Sequence, residues 1–309
     1  MELVDRLLAN MEIGVGAFNL CDVRLGHQLT FNAPATASVH YCLAGHGEIR
    51  LRDGPVIAMR QHSFALLPPK VVHSIGANDH EERSLPHRLV TVPGFYESVP
   101  TIQAGDGDLG ILSACGEIGS QGKEMPDLFA HLDKPLVEHF DVEDRLQDRF
   151  IHLLAESARP GVGTRALTEA LLKQCLILLL RRHLERGEVA VPWMTALTNP
   201  GLSRALQAML ERPSERFTVE TLARLAGMSR SAFAARFTQA FGRTPMNLLK
   251  STRLRRAREL LVTTDLSVAQ IARNVGFSSR SNFSQAFRAT YGVDPRSFRA
   301  TSLYGSDRD

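Results

Sequence analysis

The sequence predicts an α+β protein with a β-barrel, a helical segment and an all-α C-terminal domain. Three observations support this fold class. Short apolar runs separated by Gly, Pro, Asn and Asp continue to about Gly119, which indicates a sandwich or barrel. Two segments without internal Gly or Pro then have helical spacing of apolar residues. Beyond Pro200, one helix–turn–helix pattern occurs twice.

The strands are predicted from runs of apolar residues that end in turn-forming residues. The runs are SVHYCLAG, GEIRLRDG, SFALLPP, HRLVTVPG and LGILSACGE, at 38–45, 47–54, 63–69, 87–94 and 109–117. The helices that follow are predicted at Val142–Ala158 and Thr164–Glu185, with Thr164 as an N-cap. The second helix is apolar nearly all round at CLILLL, which favours packing on two sides and a homodimer.

Length and charge divide the 309 residues into parts with different partners. From Gly201 onward there are 18 Lys and Arg against 8 Asp and Glu, whereas the rest holds 18 against 25. Only the basic part is expected to meet a polyanion. The predicted parts are a sensor domain, a helical dimerisation segment, a linker, a helix–turn–helix domain and a tail, at 1–140, 141–186, 187–200, 201–300 and 301–309.

The chain lacks the marks of secretion and of membrane insertion. MELVDRLLAN has no basic n-region followed by an apolar stretch. The longest strongly apolar run, near Cys175–Leu180, is far short of the roughly 20 residues that span a bilayer. The four cysteines form no C-x-x-C pair. We therefore expect a cytoplasmic protein with reduced thiols and no membrane contact.

The repeated pattern pairs LARLAGMSRSAFAARFTQAFGRTP at 222–245 with IARNVGFSSRSNFSQAFRATYGVDP at 271–295. Gly227 and Gly276 are expected to take the tight turns. Ser229 in the first copy, and Ser278 or Ser279 in the second, can cap the next helix. Phenylalanines or tyrosine then recur every four residues, which predicts a core-facing stripe, at 233, 237 and 241 and at 283, 287 and 291.

On the face opposite each aromatic stripe, the side chains are short, polar or basic, and none is acidic. Such a face suits a helix in the major groove, where Arg reads guanine and Gln or Asn reads adenine. Between the copies, LLKSTRLRRARELL at 248–261 predicts a helix that holds both units, so that their recognition helices enter successive grooves about 34 Å apart. The cations expected to meet phosphates are Lys250, Arg253, Arg256 and Arg288.

Residues 201–300 resemble the DNA-binding domain of the AraC/XylS family of transcription regulators, with SVAQIARNVGFSSRSNFSQAFRATYGVDPRSFR similar to its C-terminal signature. The resemblance implies double-stranded DNA and RNA polymerase as partners. It also implies base-facing roles for Arg230, Ser231, Ala234, Ala235, Arg280, Ser281, Asn282 and Gln285. Alanine at 234 and 235 departs from the longer side chains common there, which leaves the first unit's base preference open.

The front half resembles a cupin in HYCLAGH at 40–46 and PPKVVH at 68–73. The resemblance implies a small β-barrel and an effector pocket that includes His40, Cys42, His46 and His73. Cys42 and His46 stand where the family has His and Glu, and Lys70 replaces a glycine. Strand alternation puts His40 and Cys42 on one side.

Several alternatives remain open for the front half. We favour a metal-free pocket that binds a small organic effector. The sequence identifies no definite cofactor, and we expect no catalytic residues. His40, Cys42, His46 and His73 are the candidate ligands for a metal, which would be Zn²⁺, Cu or Fe²⁺. Cys21, Cys42 and Cys115 would sense oxidants if a thiol had a depressed pKa. The rival class is a metal-dependent cupin enzyme or metal or redox sensor fused to a DNA-binding domain.

Overall fold

The computed structural model describes residues 2–9, 13–77, 99–119, 129–186 and 191–304. The chain forms two compact units. One unit contains the strands and the two helices that follow them. The other contains the first helix, α1 (Glu2–Ala9), together with the helices from Pro192 onward. The strand predicted at 87–94 lies outside the described residues.

Among the residues described, nine strands form one nearly closed, barrel-like sheet, which confirms the predicted β-barrel. The central path runs β2-β6-β3-β8-β1-β7, and β3 also pairs with β4 and with β5, whose other neighbour is β9. The strands are β1 Gly14–Arg24, β2 Gln28–Phe31, β3 Ala37–Leu51, β4 Val56–Arg60, β5 Ser63–Leu67, β6 His73–Gly76, β7 Thr101–Ala104, β8 Leu109–Gly119 and β9 Leu136–His139.

The 15-residue strand β3 organises this sheet. Its first half pairs with β5 and β8, and its second half pairs with β4 and β6. The strands enclose a cluster of apolar side chains that are almost fully buried, with Ile49, Ile75 and Ile111 each 0% exposed. Burial of such branched side chains contributes about 1.5–3 kcal/mol each, so the barrel core is a stable frame for polar groups placed within it.

Two helices follow the barrel, α2 (Leu146–Ala158) and α3 (Thr164–Glu185). The start predicted at Val142 is wrong by one turn, because Val142–Asp144 is a separate 3-10 turn and Arg145 has a φ of 53°, which breaks the helix. Thr164 is not the N-cap of α3. Gly163 occupies that position, and the Thr164 hydroxyl instead accepts a hydrogen bond from the Gly161 N–H and donates one to Glu156.

In the other unit, all the described secondary-structure elements are helices, which confirms the predicted all-α domain. Its helix α4 (Pro192–Thr198) lies inside the segment expected to be a linker, where Trp193 and Met194 are 1% and 2% exposed. The further helices are α5 Pro200–Glu211, α6 Val219–Ala226, α7 Arg230–Phe241, α8 Pro245–Thr263, α9 Val268–Asn274, α10 Arg280–Tyr291 and α11 Pro295–Tyr304.

No helix in the described parts of the chain is both long enough and apolar enough to cross a bilayer. The helix that contains the apolar run CLILLL, α3, buries Leu172, Leu176, Leu179 and Leu180 within its own unit. Its packing against α2, β1 and β9 accounts for these buried leucines.

Candidate nucleic-acid interface and barrel cluster

The first helix–turn–helix unit consists of α6 and α7. Gly227 joins them with a φ of 66°, a left-handed conformation that glycine adopts without strain. The Ser229 hydroxyl accepts a hydrogen bond from the N–H of Ala232 and caps α7. Phe233 and Phe237 are fully buried and Phe241 nearly so. The predicted turn, cap and aromatic stripe of this unit are all confirmed.

The second unit, α9 and α10, repeats this arrangement. Gly276 has a φ of 90° at the turn, and Ser279, rather than Ser278, caps α10 by accepting from the N–H of Asn282. Phe283 and Phe287 are fully buried, whereas Tyr291 is half-buried. Because the buried faces of α7 and α10 match, the exposed faces of the two helices are also equivalent.

The exposed faces differ in what they offer to DNA. On α7, Arg230, Ser231 and Ala235 are exposed and Ala234 is half-buried. The Nη1 atom of Arg230 lies 2.9 Å from a carboxylate oxygen of Glu220 on α6. The first unit therefore has an acidic neighbour that its recognition helix alone does not reveal, and its guanidinium must exchange this partner to reach a base.

On α10, the predicted base-facing residues Arg280, Ser281, Asn282 and Gln285 are all exposed. Asn282 and Gln285 line a groove of about 590 Å³ together with Lys250 from α8 and with Arg216. The second unit thus combines amide groups suited to adenine with two cations suited to a phosphate backbone. Arg216, which precedes α6, was not singled out from the sequence, and only its position in the folded domain reveals its contribution to the groove.

The four predicted phosphate contacts have different surroundings. Lys250, Arg256 and Arg288 are exposed. The Nη1 atom of Arg256 lies 2.8 Å from Glu259, three residues later on the same helix, so part of its charge is already neutralised. An exposed pair of this kind is worth less than about 1 kcal/mol, and DNA phosphates can replace it.

Arg253 is placed differently from the other three. Its Nε donates to the carbonyl oxygen of Pro213 at 2.6 Å, and its Nη2 donates to that of Glu215 at 2.7 Å. The side chain is half-buried, and burial lowers its pKa from the ordinary value. This geometry joins α8 to the loop between α5 and α6. The phosphate role of Arg253 stays a prediction, and the structure supplies a competing structural role.

Inside the barrel, His40, His73 and Cys115 form a continuous polar cluster. The Nε2 atoms of His40 and His73 are 2.9 Å apart, and His40 Nδ1 lies 3.2 Å from Cys115 Sγ. His73 Nδ1 is 3.1 Å from the carbonyl oxygen of Val71. Phe31 stacks on His73 at 4.9 Å between ring centroids. All three polar side chains are nearly inaccessible to solvent.

One proton arrangement satisfies the contacts of the two histidines with each other, with Val71 and with Cys115 while both rings stay neutral. The Val71 carbonyl only accepts, so His73 Nδ1 carries the proton and His73 Nε2 accepts from His40. His40 Nδ1 is then the acceptor for the Cys115 thiol. Burial is the main cause that lowers the pKa of both histidines, and His73 lowers that of His40 further. Burial also raises the pKa of Cys115, which Cys21 contacts by a hydrogen bond.

The cluster does not fit a metal centre. Each imidazole already uses both nitrogens in hydrogen bonds. Within the described ranges, no group of three or more His, Cys, Asp or Glu side chains is arranged to hold a metal ion. The residues suit a closed hydrogen-bonded network more than coordination.

The Cys42 thiol donates to the backbone carbonyl oxygens of Ala44 and Gly45 instead, and His46 lies apart from that network. The register between β3 and β8 is regular from His40 to Cys42, so both side chains lie on one face, as predicted. A β-bulge between Cys42 and Ala44 then shifts the register by one residue. This shift turns His46 to the opposite face, where it pairs across the sheet with Arg60. The structure therefore does not bring His46 to His40 and His73.

Comparison with known protein families gives two matches. Residues 222–301 match the model of a helix-turn-helix domain. Residues 2–185 match the model of a cupin. The two matches cover the helix–turn–helix units and the barrel with the helices that follow it.

Curated relatives are named transcription regulators. The chain is 34% identical to the RCS-specific HTH-type transcriptional activator RclR of Escherichia coli K12, over 84% of this chain and 83% of that one. It is 30% identical to the transcriptional activator NphR of Rhodococcus sp, over 84% and 68%. The similarity to AlkR of Acinetobacter baylyi is 38% identity over 48% of each chain.

Among solved structures, the DNA-binding domain of AdpA in complex with a target DNA is 35% identical. It covers 36% of this chain and 99% of its own, with a TM-score of 0.34. The family matches, together with the relatives that span most of the chain, establish what kind of protein this is. The chain belongs to the AraC family of transcription regulators and carries a cupin domain before its helix–turn–helix domain.

Proposed function

We propose that this regulator reads a double-stranded operator with both helix–turn–helix units, as a homodimer, under the control of an effector held by the cupin domain. The observation that supports this most directly is the pair of equivalent recognition helices, α7 and α10. Each buries an aromatic stripe and leaves its opposite face exposed. Helices with such faces fit the major groove. We also propose that the protein acts in the cytoplasm and recruits RNA polymerase.

The second unit contributes most of the base recognition. Arg280 at the start of α10 has no acidic partner among the described residues, whereas Arg230 on α7 is paired with Glu220. Asn282 and Gln285 add two amides, where α7 offers Ala234 and Ala235. Alanines contribute only apolar contact, for example with thymine methyl groups.

Fluorescence anisotropy with an operator selected from random DNA by the full-length protein tests base recognition. Arg280→Ala should weaken operator binding by roughly 1–3 kcal/mol and relax one base position, because a bidentate arginine contact is lost. Lys250→Ala is the matched control and should weaken operator and random DNA alike. An equal loss on both DNAs for Arg280→Ala would remove its base-reading role.

The homodimer is supported by a stripe of leucines on α3. Leu167 is 49% exposed, and Leu171 and Leu178 on the same side are half-buried. These spacings of four and seven residues place the three side chains along one helix face. In sedimentation equilibrium at micromolar concentration, Leu167→Glu should shift the protein towards monomer. Val162→Glu, at a fully exposed loop position, is the control, and identical dimerisation of both variants would exclude this face.

Effector control is favoured over the metal and enzyme alternatives by the neutral hydrogen-bonded cluster of His40, His73 and Cys115. The relatives are named regulators, not enzymes. A redox role requires a thiolate, and burial raises the pKa of Cys42 and Cys115, two of the three candidate thiols. Elemental analysis of chelator-free protein beside His40→Ala/His73→Ala tests for metal, and stoichiometric metal lost in the variant would revive the metal alternative.

A further inference from the structure

We propose that a cleft at one end of the barrel binds a small organic anion with an apolar body, and that this anion is the effector. The cleft is formed by the β3–β4 turn, by residues 68–72 between β5 and β6, and by the start of β9. Its identification as a binding site stands on the geometry below. Its identification as the effector site rests on the proposed function.

The cleft has the size and the apolar lining of a small-molecule binding site. Its volume is about 780 Å³, within the roughly 300–1,000 Å³ of ordinary ligand pockets. Leu51, Ile57, Val71, Val72 and Val137 supply its apolar lining. Leu51 and Ile57 also belong to the packed barrel core. An apolar body placed in the cleft would therefore extend this core outward and remove apolar surface from water.

The rim of the cleft is charged, with an excess of cations. Arg52, Lys70 and Lys134 stand against Asp53 and Asp133. All five side chains belong to exposed residues. The described parts of the chain record no ion pair for any of the three cations, unlike Arg24 or Arg50 elsewhere on the barrel, which pair with Asp22 and Glu48. A carboxylate or other singly charged head group is the ligand that this rim complements.

Lys70 is held in place at a conformational cost. Its φ of 62° is left-handed, which costs a residue with a Cβ roughly 1–2 kcal/mol relative to ordinary backbone. Its N–H donates to the carbonyl oxygen of Pro34 at 2.6 Å, and two prolines precede it. The chain keeps a lysine where glycine would be unstrained. Strain of this kind concentrates at ligand sites.

The cleft also has a short route to the end of α3. Val137 of β9 lines the cleft, and the next residue, Glu138, points to the other face of that strand. The Glu138 carboxylate is fully buried, 3.0 Å from Arg186 Nη1 and 3.5 Å from His183 Nε2. Both partners lie at the C-terminal end of α3, the helix that carries the proposed dimer face. A ligand that shifts β9 therefore changes the contacts at the end of α3.

Isothermal titration of the full-length protein with octanoate tests the site, with 1-octanol and octylamine as ligands of equal chain length and different head-group charge. We expect octanoate to bind one site per chain and the other two to bind at least tenfold more weakly. The double variant Lys70→Gly/Lys134→Ala should weaken octanoate binding tenfold or more. Glycine at 70 removes the cation and relieves the backbone strain, so this variant should fold.

Arg159→Ala is the matched control, because it removes an exposed cation of the same unit outside the cleft. It should leave the octanoate affinity unchanged. Equal affinities of the double variant and the wild-type protein, or no saturable octanoate binding at millimolar concentration, would overturn the site. The proposed function fails separately, if no cellular small molecule changes operator binding. Octanoate that binds the cleft without changing operator affinity would refute its effector role and keep the site.

Discussion

Replacing Arg253 with alanine separates two roles that this residue can have in DNA binding. As a phosphate contact, it would add affinity without affecting the fold. As a clamp, it would hold the loop of residues 213–215 against α8 through its two hydrogen bonds to Pro213 and Glu215. The same loop lies against Gly276, where an added Cβ would come within 2.8 Å of the Ser214 backbone. The clamp therefore joins the segment before α6 to the turn of the second helix–turn–helix unit.

The magnitude follows from the two hydrogen bonds. A bond from a charged donor contributes about 1.5–3 kcal/mol, and both bonds are short. Glu215 is exposed and Pro213 is half-buried, so water can reach the freed carbonyl oxygens and the loss for each bond is at the low end. We expect Arg253→Ala to lower the free energy of unfolding by about 3 kcal/mol, or about 1.5 kcal/mol for each bond. Arg253→Lys should recover less than half of this, because an ammonium lacks the planar fork.

Two measurements decide between the roles. Urea unfolding gives the stability, and operator binding across a series of salt concentrations gives the slope of log K against log salt. A lost phosphate contact reduces that slope by about 0.9. The clamp predicts an unchanged slope for Arg253→Ala together with the stability loss. Lys250→Ala, as the exposed control, should show the reverse, with a reduced slope and unchanged stability.

The result that would refute the clamp is a fully stable Arg253→Ala protein with a reduced slope. A variant that loses stability and slope together would show that Arg253 contacts DNA as well, and the purely structural role would fail.

Arg299 forms a similar pair of hydrogen bonds elsewhere in the same domain. Its Nε and Nη2 donate to the carbonyl oxygens of Leu261 and Leu266 at 3.0 and 2.7 Å, so α11 is joined to the loop before α9 in the same way.

Two further predictions use differential scanning calorimetry and urea unfolding. Gly227→Ala and Gly276→Ala both place a Cβ at a left-handed position, but only Gly276 faces backbone within 2.8 Å. Gly227→Ala should therefore cost about 1 kcal/mol and Gly276→Ala clearly more, and equal losses would contradict the contact with Ser214. Burial, with His73, holds the pKa of His40 well below its ordinary value, so below about pH 6.5 the unfolded chain binds a proton that the folded chain does not. Stability should be complete above that pH and fall by up to about 2 kcal/mol at pH 5. His40→Gln should flatten this dependence, and an unchanged pH profile would exclude His40 as its source.

The helix–turn–helix units could be predicted from sequence almost to the residue, because their determinants are local. The left-handed glycines, the serine caps and the four-residue aromatic spacing all act within a dozen residues. The start of α2 and the cap of α3 failed for a related reason. Arg145 and Gly163 take left-handed conformations that end or begin a helix, and an arginine gives no sign of this in the sequence.

The roles of basic residues were harder to predict than the helices that carry them. Lys250 and Arg253 are three residues apart on α8, and composition treats them alike. One is exposed beside Gln285 and the other donates to Pro213, 40 positions earlier in the chain. Helical periodicity identifies a basic face. Which guanidinium forms hydrogen bonds within the fold, however, depends on contacts with loops that are distant in sequence. The same holds for Arg230 and its partner Glu220.

The barrel cluster shows where sequence reasoning about sites ends. His40 and His73 could be found, because a family signature marks both, and they do meet. The third member, Cys115, could not be assigned to them, since its position depends on the pairing of His40 with Cys115 across β3 and β8, 75 residues apart. His46 was expected in the same pocket as His40 because of the cupin resemblance, and a single inserted residue in β3 turns its side chain to the other face. This register also determines whether the cluster can bind a metal, because it places Cys115 beside His40 Nδ1. Cys115 lies on β8, a strand that the family signature does not include.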